Sequence, residues 1–250
     1  MPRIGTRKLH FMLQARLASH TISIGRDYLF NLLRDHHLLV RQRKRKAYTT
    51  NSRHWMRKYD NLIKTLSIQC PEQLWVSDIT YVRMNQQWGY LSLITDAFSR
   101  KIMGYSFRTD LSTEGCVDAL KMALDSRIYP QQSLIHHSDR GSQYCSSAYT
   151  HLLIQHNIAI SMTQSGDPYE NALAERINGI IKTEFNLNHC PYGFEQTKKK
   201  IHQAINTYNS IRPHASCNYL TPEEAHKQKG KLLRKWKNYT SNKKTIKTYV

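Results

Sequence analysis

The sequence predicts a mixed α/β sheet flanked by helices, preceded by a small helical segment. Three observations carry that expectation. Three runs rich in β-branched and aromatic residues follow one another between Leu74 and Phe107. Helical and short apolar runs then alternate as far as Met162. Beyond that point only helical periodicity remains, and runs of this kind in this order build a mixed sheet covered by helices.

The elements follow in order. Thr6 to Ser19 sets Leu9, Met12, Leu13 and Leu17 on one face at helical spacing. Ser23-Ile-Gly-Arg-Asp opens a second helix carrying Tyr28, Leu29, Leu32 and Leu33, with Ser23 as its N-cap. Two short helices around a Gly-containing turn, with exposed Arg and Lys, make residues 1–46 a helix-turn-helix-like basic segment, an outline many helical hairpins share. Arg41, Arg43, Lys44, Arg45 and Lys46 close it, as a solvated arm or as phosphate contacts. Residues 47–69 read as a linker with one short helix.

The core spans 70–190. Leu74 to Val82 alternates as a strand, with Asp78 on the face of Val76 and Thr80. Trp88–Thr95 and Lys101–Phe107 complete a meander that turns at Gln86-Gln87 and at Asp96–Arg100, where Asp96 caps the turn. Ser112 caps a helix to about Ser126, with Val117, Leu120 and Leu124 inward. Ser133–His137 is a short buried strand ending at Asp139, Ser142–His156 a helix and Ile158–Met162 a strand. Ser165-Gly-Asp-Pro is a mobile connection. A helix then starts with Asp167 as N-cap, Pro168 at its first position and Glu170 in the cap, and runs to about Phe185. Residues 191–226 extend the core with helices over Phe194–Asn209 and from Thr221.

Charge narrows the function. The 250 residues carry a formal net charge of +19, unevenly distributed. Residues 1–66 hold 15 Lys and Arg against 3 acids, 67–180 hold 8 against 11, and 181–250 hold 14 against 4. Basic flanks suit a nucleic acid, because neutralised phosphates release counterions. An acidic middle suits a metal site rather than a DNA coat. The tail, 227–250, has nine Lys and Arg and no acid, so it is expected to stay disordered until it meets DNA. The five cysteines form no CxxC pair and are odd in number, which argues for reduced thiols rather than a zinc module or a disulfide set. No run approaches the roughly 20 apolar residues of a membrane span, so a soluble, cytoplasmic, nucleoid-associated protein is expected.

Three acids stand out. Asp78 lies mid-strand among apolar residues, where an unpaired charge is costly; the alternative is a buried acid paired with an Arg. Asp139 ends a strand before Arg-Gly, a position that by itself reads as a turn Asp. Glu175 sits in a helix interior, with Asn171, Asn178 and Lys182 near its face; an ordinary polar helix face is the alternative. Carboxylates converging from a strand, a strand end and a helix would hold hard divalent cations. Two such ions about 3.5–4 Å apart drive in-line displacement at phosphorus.

Asp139 and Glu175 are separated by 35 residues, with Asp78 upstream and Lys182 downstream. The words around them are Trp75-Val-Ser-Asp78-Ile-Thr-Tyr81, Asp96-Ala-Phe-Ser-Arg100, His137-Ser-Asp139-Arg-Gly-Ser-Gln-Tyr144, Asn171-Ala-Leu-Ala-Glu175, Tyr208-Asn-Ser-Ile-Arg-Pro-His214 and Thr221-Pro222. In that order they resemble the second-frame DDE transposases of the IS-three group of bacterial insertion sequences, over roughly residues 1–226.

The resemblance implies an RNase H-like core with a mixed five-stranded sheet, Mg²⁺ or Mn²⁺ as cofactor, and Asp78, Asp139 and Glu175 as both catalytic residues and metal ligands. Lys182 and Asn171 would hold or orient DNA. The reaction implied is cleavage at element ends followed by transfer of the freed 3′-hydroxyl. The implied partners are double-stranded DNA, both terminal inverted repeats and target, further copies of the chain on DNA, and an upstream-frame protein. There is no heptad run here, so the resemblance implies the second-frame product alone or a fragment. Cys217 stands where the family commonly has Leu, a change that bears on packing. The rival classes are a non-catalytic DNA-binding relative that represses transposition and a resolvase-like nuclease that cleaves without joining.

Overall fold

The computed structural model describes residues 1–40, 54–85, 87–164, 171–230 and 232–233. Two helices open the chain, α1 (Thr6–Ser19) and α2 (Arg26–Asp35). Ser23 does not cap α2. Gly25, in extended conformation, takes the N-cap position, and the Ile24 carbonyl is held by His10 Nε2 at 2.9 Å. The apolar faces read from the sequence pack lightly: α1 buries no residue and α2 buries only Leu29. Arg41, Arg43, Lys44, Arg45 and Lys46 lie outside the described residues.

Residues 54–69 contain no helix, and the rest of the linker, where a short helix was expected, lies outside the described residues. Their backbone is spent along the sheet edge and core instead: Met162 N donates to Asp60 O at 3.3 Å, and Leu62 N to Ser161 Oγ at 2.9 Å. Ile63, Leu66 and Ile68 pack against Leu74, Val76 and Ala174. A segment anchored through such external partners has no need of internal helical bonds.

Strand β1 (Leu74–Met84) is the spine. It pairs antiparallel with β2 (Gln87–Asp96), which pairs antiparallel with β3 (Ile102–Arg108). Helix α3 (Thr113–Asp125) crosses back, and β4 (Ile135–Ser138) joins the other side of β1 in parallel. Gly104 on β3 is required by the close approach of α3, because a Cβ there would lie 2.1 Å from the Ala119 carbonyl oxygen. The helix expected over 142–156 is two helices, α4 (Ser142–Cys145) and α5 (Ser147–Gln155). Ser146 breaks it by adopting extended backbone and accepting the Tyr149 N–H on its side chain, the competition a serine offers inside a helix.

Strand β5 (Ala159–Met162) pairs parallel with β4, giving the order β3-β2-β1-β4-β5. The described part of the next helix is α6 (Ala172–Glu184). Its expected start at Asp167, Pro168 and Glu170, and the Ser165–Pro168 connection, lie outside the described residues. Beyond the five expected strands, the two-residue β6 (His189–Cys190) pairs parallel with the far end of β1. Helix α7 (Phe194–Ser210), a 3₁₀ turn at Ala215–Cys217 and α8 (Pro222–His226) follow. Thr221 and Glu224 close a capping box at the start of α8.

The sheet separates two apolar layers. Trp75, Ile94, Met103, Leu120, Tyr149 and Leu153 fill the side under α3 and α5. Val82, Leu93, Phe107, Ile177, Ile201 and Tyr208 fill the side under α6 and α7. Val117 and Leu124 flank the α3 seam, which Cys116, Ala119, Leu120 and Ala123 occupy. Most of the expected basic tail lies outside the described residues.

Candidate active site

Alternation along β1 turns Asp78 to the side that α6 covers, with Trp75, Ser77 and Ile79 toward the other layer. In the parallel pairing of β1 with β4, Val76 faces His137. Continuing that register by two residues brings Asp139 beside Asp78, one strand spacing away, just beyond the end of β4. Asp139 Oδ1 accepts the Gly141 N–H at 2.9 Å. A Cβ at position 141 would come within 3.0 Å of that oxygen, so glycine lets the turn fold onto the carboxylate.

Helix α6 is pinned along β1 by three polar contacts. Asn171 Nδ2 donates to Ser77 O at 2.9 Å, Asn178 Nδ2 to Asp78 Oδ2 at 2.8 Å, and Lys182 Nζ to Tyr81 O at 3.5 Å. Glu175 lies four residues after Asn171 and three before Asn178, on the same helical face, and is exposed. Asp78 itself is half-buried and also accepts the Ile79 N–H at 2.9 Å.

Burial pushes the Asp78 carboxyl up to about 7, and the Asp139 and Glu175 charges push the same way; the hydrogen bonds from Asn178 and Ile79 oppose them. Both other acids singled out in the sequence thus bear on Asp78. Among the described residues, however, no group of three His, Cys, Asp or Glu side chains lies close enough to hold one ion. The donors still suit a hard cation. They are all carboxylate oxygens, and the amide oxygens of Asn171 and Asn178 are buried on the same helix without a hydrogen-bond partner.

Other residues of the recognised words hold the scaffold. Asp96 accepts the Ser99 N–H and hydroxyl at 2.8 and 2.7 Å and the Glu72 N–H at 2.7 Å, the turn role expected of it. Asn209 clamps both backbone groups of Ile102, Tyr208 donates to Arg100 O, and Arg212 makes two 2.7 Å bonds to Glu184. Asn178 was not read from the sequence as the group holding Asp78; its signal was its place three residues after Glu175. Nor was the buried Glu72, which no local pattern marks.

A mixed sheet of this order, with acids on its central strand, at the end of the neighbouring strand and on the crossing helix, defines an RNase H-like integrase core. Residues 68–168 match the family model of the integrase core domain, and residues 156–222 match a second model of that description. The chain is 36% identical over 221 residues to a 31 kDa protein of insertion element IS600 from Shigella sonnei, covering 87% of this chain and 79% of that one. It is 36% identical over 160 residues to the transposase InsF for insertion sequence IS3A from Escherichia coli K12, covering 62% of this chain and about half (54%) of InsF.

Among solved structures, the magnesium complex of the HTLV-2 integrase catalytic core superposes with a TM-score of 0.51 at 22% identity, over 63% of this chain and 97% of that one. A chain of the simian T-cell lymphotropic virus intasome in complex with PP2A regulatory subunit B56 gamma gives 0.55 at 20% identity, over 90% of this chain and 75% of that one. These two likenesses establish the fold. The chain belongs to the integrase-core family and, within it, to the transposases of IS3-type insertion sequences, a class that transfers DNA strands.

Proposed function

We propose that the chain cuts DNA at the ends of an insertion element and joins the freed 3′-hydroxyl to another phosphodiester, with Asp78, Asp139 and Glu175 as the metal-binding catalytic carboxylates. The observation that carries this reading is the register that sets Asp139 beside Asp78, with α6, which carries Glu175, bonded to Asp78 through Asn178. In the cut, a water oxygen forms the new bond to phosphorus while the P–O3′ bond breaks. In the join, the 3′-oxygen forms the bond and a second 3′-hydroxyl leaves.

Two bound Mg²⁺ or Mn²⁺ ions would supply activation of the attacking oxygen and stabilisation of the leaving one. The chain's own part is to present oxygens. Asp78 and Asp139 offer carboxylates from neighbouring strands. Asn178 fixes the rotation of Asp78, and Asn171 ties the start of α6 to β1. Neutralising the carboxylates removes the repulsion that disfavours Glu175 closing on the pair. Lys182, two helical turns beyond Glu175, would hold a DNA phosphate beside the metals. The remaining partners proposed are duplex DNA at terminal repeats and target, further copies of the chain on that DNA, and an upstream-frame protein.

Asp78→Asn and Glu175→Gln should each cut strand cleavage by more than about a hundredfold, because metal charge stabilisation is worth several kcal/mol and each ~1.4 kcal/mol is tenfold. DNA binding should be nearly intact. Cleavage within about tenfold of the unmodified chain would remove these residues from the chemistry. A second reading, DNA occupancy without chemistry, draws on the failure of the described residues to bring three ligands within reach of one ion. It predicts binding to element ends with no strand transfer in Mg²⁺ or Mn²⁺.

A further inference from the structure

A groove of about 1070 Å³ runs between α1, α6 and the loop that carries Arg212 to Tyr219. Six cationic side chains line it, namely Arg7, Lys8, Arg26, Arg100, Arg176 and Arg212, against the single carboxylate of Glu184. That carboxylate is already engaged by Arg212 at 2.7 Å and Lys8 at 3.3 Å. Phe11 of α1 stacks on Tyr219 with ring centroids 4.6 Å apart, bridging the N-terminal helix to the C-terminal loop. The loop holds both Asn218 and Tyr219 at positive φ, 56° and 63°, to present that ring. Burial and then the Arg212 and Arg176 charges lower the Lys8 pKa, so the cations crowd one another. The same cations, after burial, hold His214 far below the usual imidazole range.

We propose that this groove grips the sugar–phosphate backbone of one DNA strand, on the opposite side of α6 from the carboxylates. Glu184 engages Arg212 and Lys8, and Asp27 pairs with Arg26 at 2.8 Å, so cations still outnumber carboxylates around the groove, and such crowded like charges are relieved by a polyanion. Arg176 directly follows Glu175, so one turn of α6 presents the acid to the Asp78 side and the guanidinium to the groove. DNA held here would run from the N-terminal helices across α6 toward the site of cutting. The inference rests on the transposase reading for its substrate class and adds a backbone site outside the carboxylate trio.

The test is the salt dependence of binding of the full chain to a duplex oligonucleotide, read by fluorescence anisotropy in EDTA so that no metal contributes. Arg7 and Arg176 are exposed, and Arg7→Gln with Arg176→Gln should lower the slope of log K against log salt by about 1–2 and weaken binding on the order of tenfold near 0.1 M salt. Arg176→Glu alone should weaken it at least as much as Arg176→Gln alone, which keeps the test valid should the pair fold poorly. Lys198→Gln with Lys199→Gln, on the separate groove beside β3, is the charge-matched control and should change the slope far less. An unchanged slope in the Arg pair, or an equal loss in both pairs, would overturn the proposal. So would a loss of self-association with DNA binding intact, which would make the groove a protein interface. Cleavage lost in Asp78→Asn but a normal slope in the Arg pair would sink the groove alone. The reverse pattern would sink the catalytic reading alone.

Discussion

Asn178 donates 2.8 Å to Asp78 while its amide oxygen stays buried without a partner, so the side chain is held by the carboxylate it orients. Removing such a support loosens a ligand without deleting it. Asn178→Ala should reduce strand transfer by about 10–100-fold and raise the Mn²⁺ concentration needed for half activity, with DNA affinity unchanged. A rate within about twofold, at an unchanged metal requirement, would show that Asp78 needs no such partner. The positions of Asp78, Asp139 and Glu175 in the fold were legible because residue type and spacing carry the signal: an acid on a strand, an acid at a strand end, an acid on a helix face. Asn178 was visible only as a neighbour of Glu175, because its partner lies a hundred residues away and no local pattern encodes that pairing.

At the scale of elements, buried charge ties the ends of the core together. Helix α8 places His226 between Glu72, 3.3 Å from Nε2, and Asp96, 3.6 Å from Nδ1, with Ser99 also on Nδ1 at 2.9 Å. Burial lowers the imidazole pKa, but the hydrogen bonds to Asp96 and Glu72 outweigh it and the net shift is upward. A raised folded pKa contributes stability that is full below the unfolded value near 6.5 and is lost as pH rises through the folded value. His226→Gln should therefore cost most near pH 6 and progressively less as the pH rises above the ordinary imidazole value, read from denaturant midpoints. A cost that grows with pH would contradict the sign.

Gly104→Ala should destabilise by roughly 1–3 kcal/mol, because the added methyl meets the α3 backbone. A melting temperature equal to that of the unmodified chain would mean that α3 can move away. Strand identities were legible from β-branched alternation. The split of α4 from α5 was not, since Ser146 reads as an unremarkable helix residue until its hydroxyl takes the Tyr149 amide. Nor was β6, whose two residues are too few to carry a period and are placed by pairing with β1.

Over the whole molecule, basic ends enclose an acidic centre, and the structure folds the N-terminal helices back onto α6 through Lys8 and Glu184. Since α1 and α2 bury only Leu29, their attachment is largely polar and their removal should spare the core. Deleting residues 1–46 should weaken DNA binding and flatten its salt slope while leaving a cooperative melt. An unchanged slope would show that these cations do not meet phosphates. The charge asymmetry was plain in the sequence, but the groove was not, because its six cations come from five separate stretches of chain.

The central claim is that Asp78, Asp139 and Glu175 serve one metal centre. It is tested most directly by measuring Mn²⁺ affinity of the DNA-bound chain by calorimetry, unmodified and with Asp78→Asn, Asp139→Asn or Glu175→Gln. Each single change should weaken Mn²⁺ binding by at least about tenfold, the loss expected when a site gives up one charged ligand. Unaltered affinity in any one of the three would separate that residue from the other two and contradict the account.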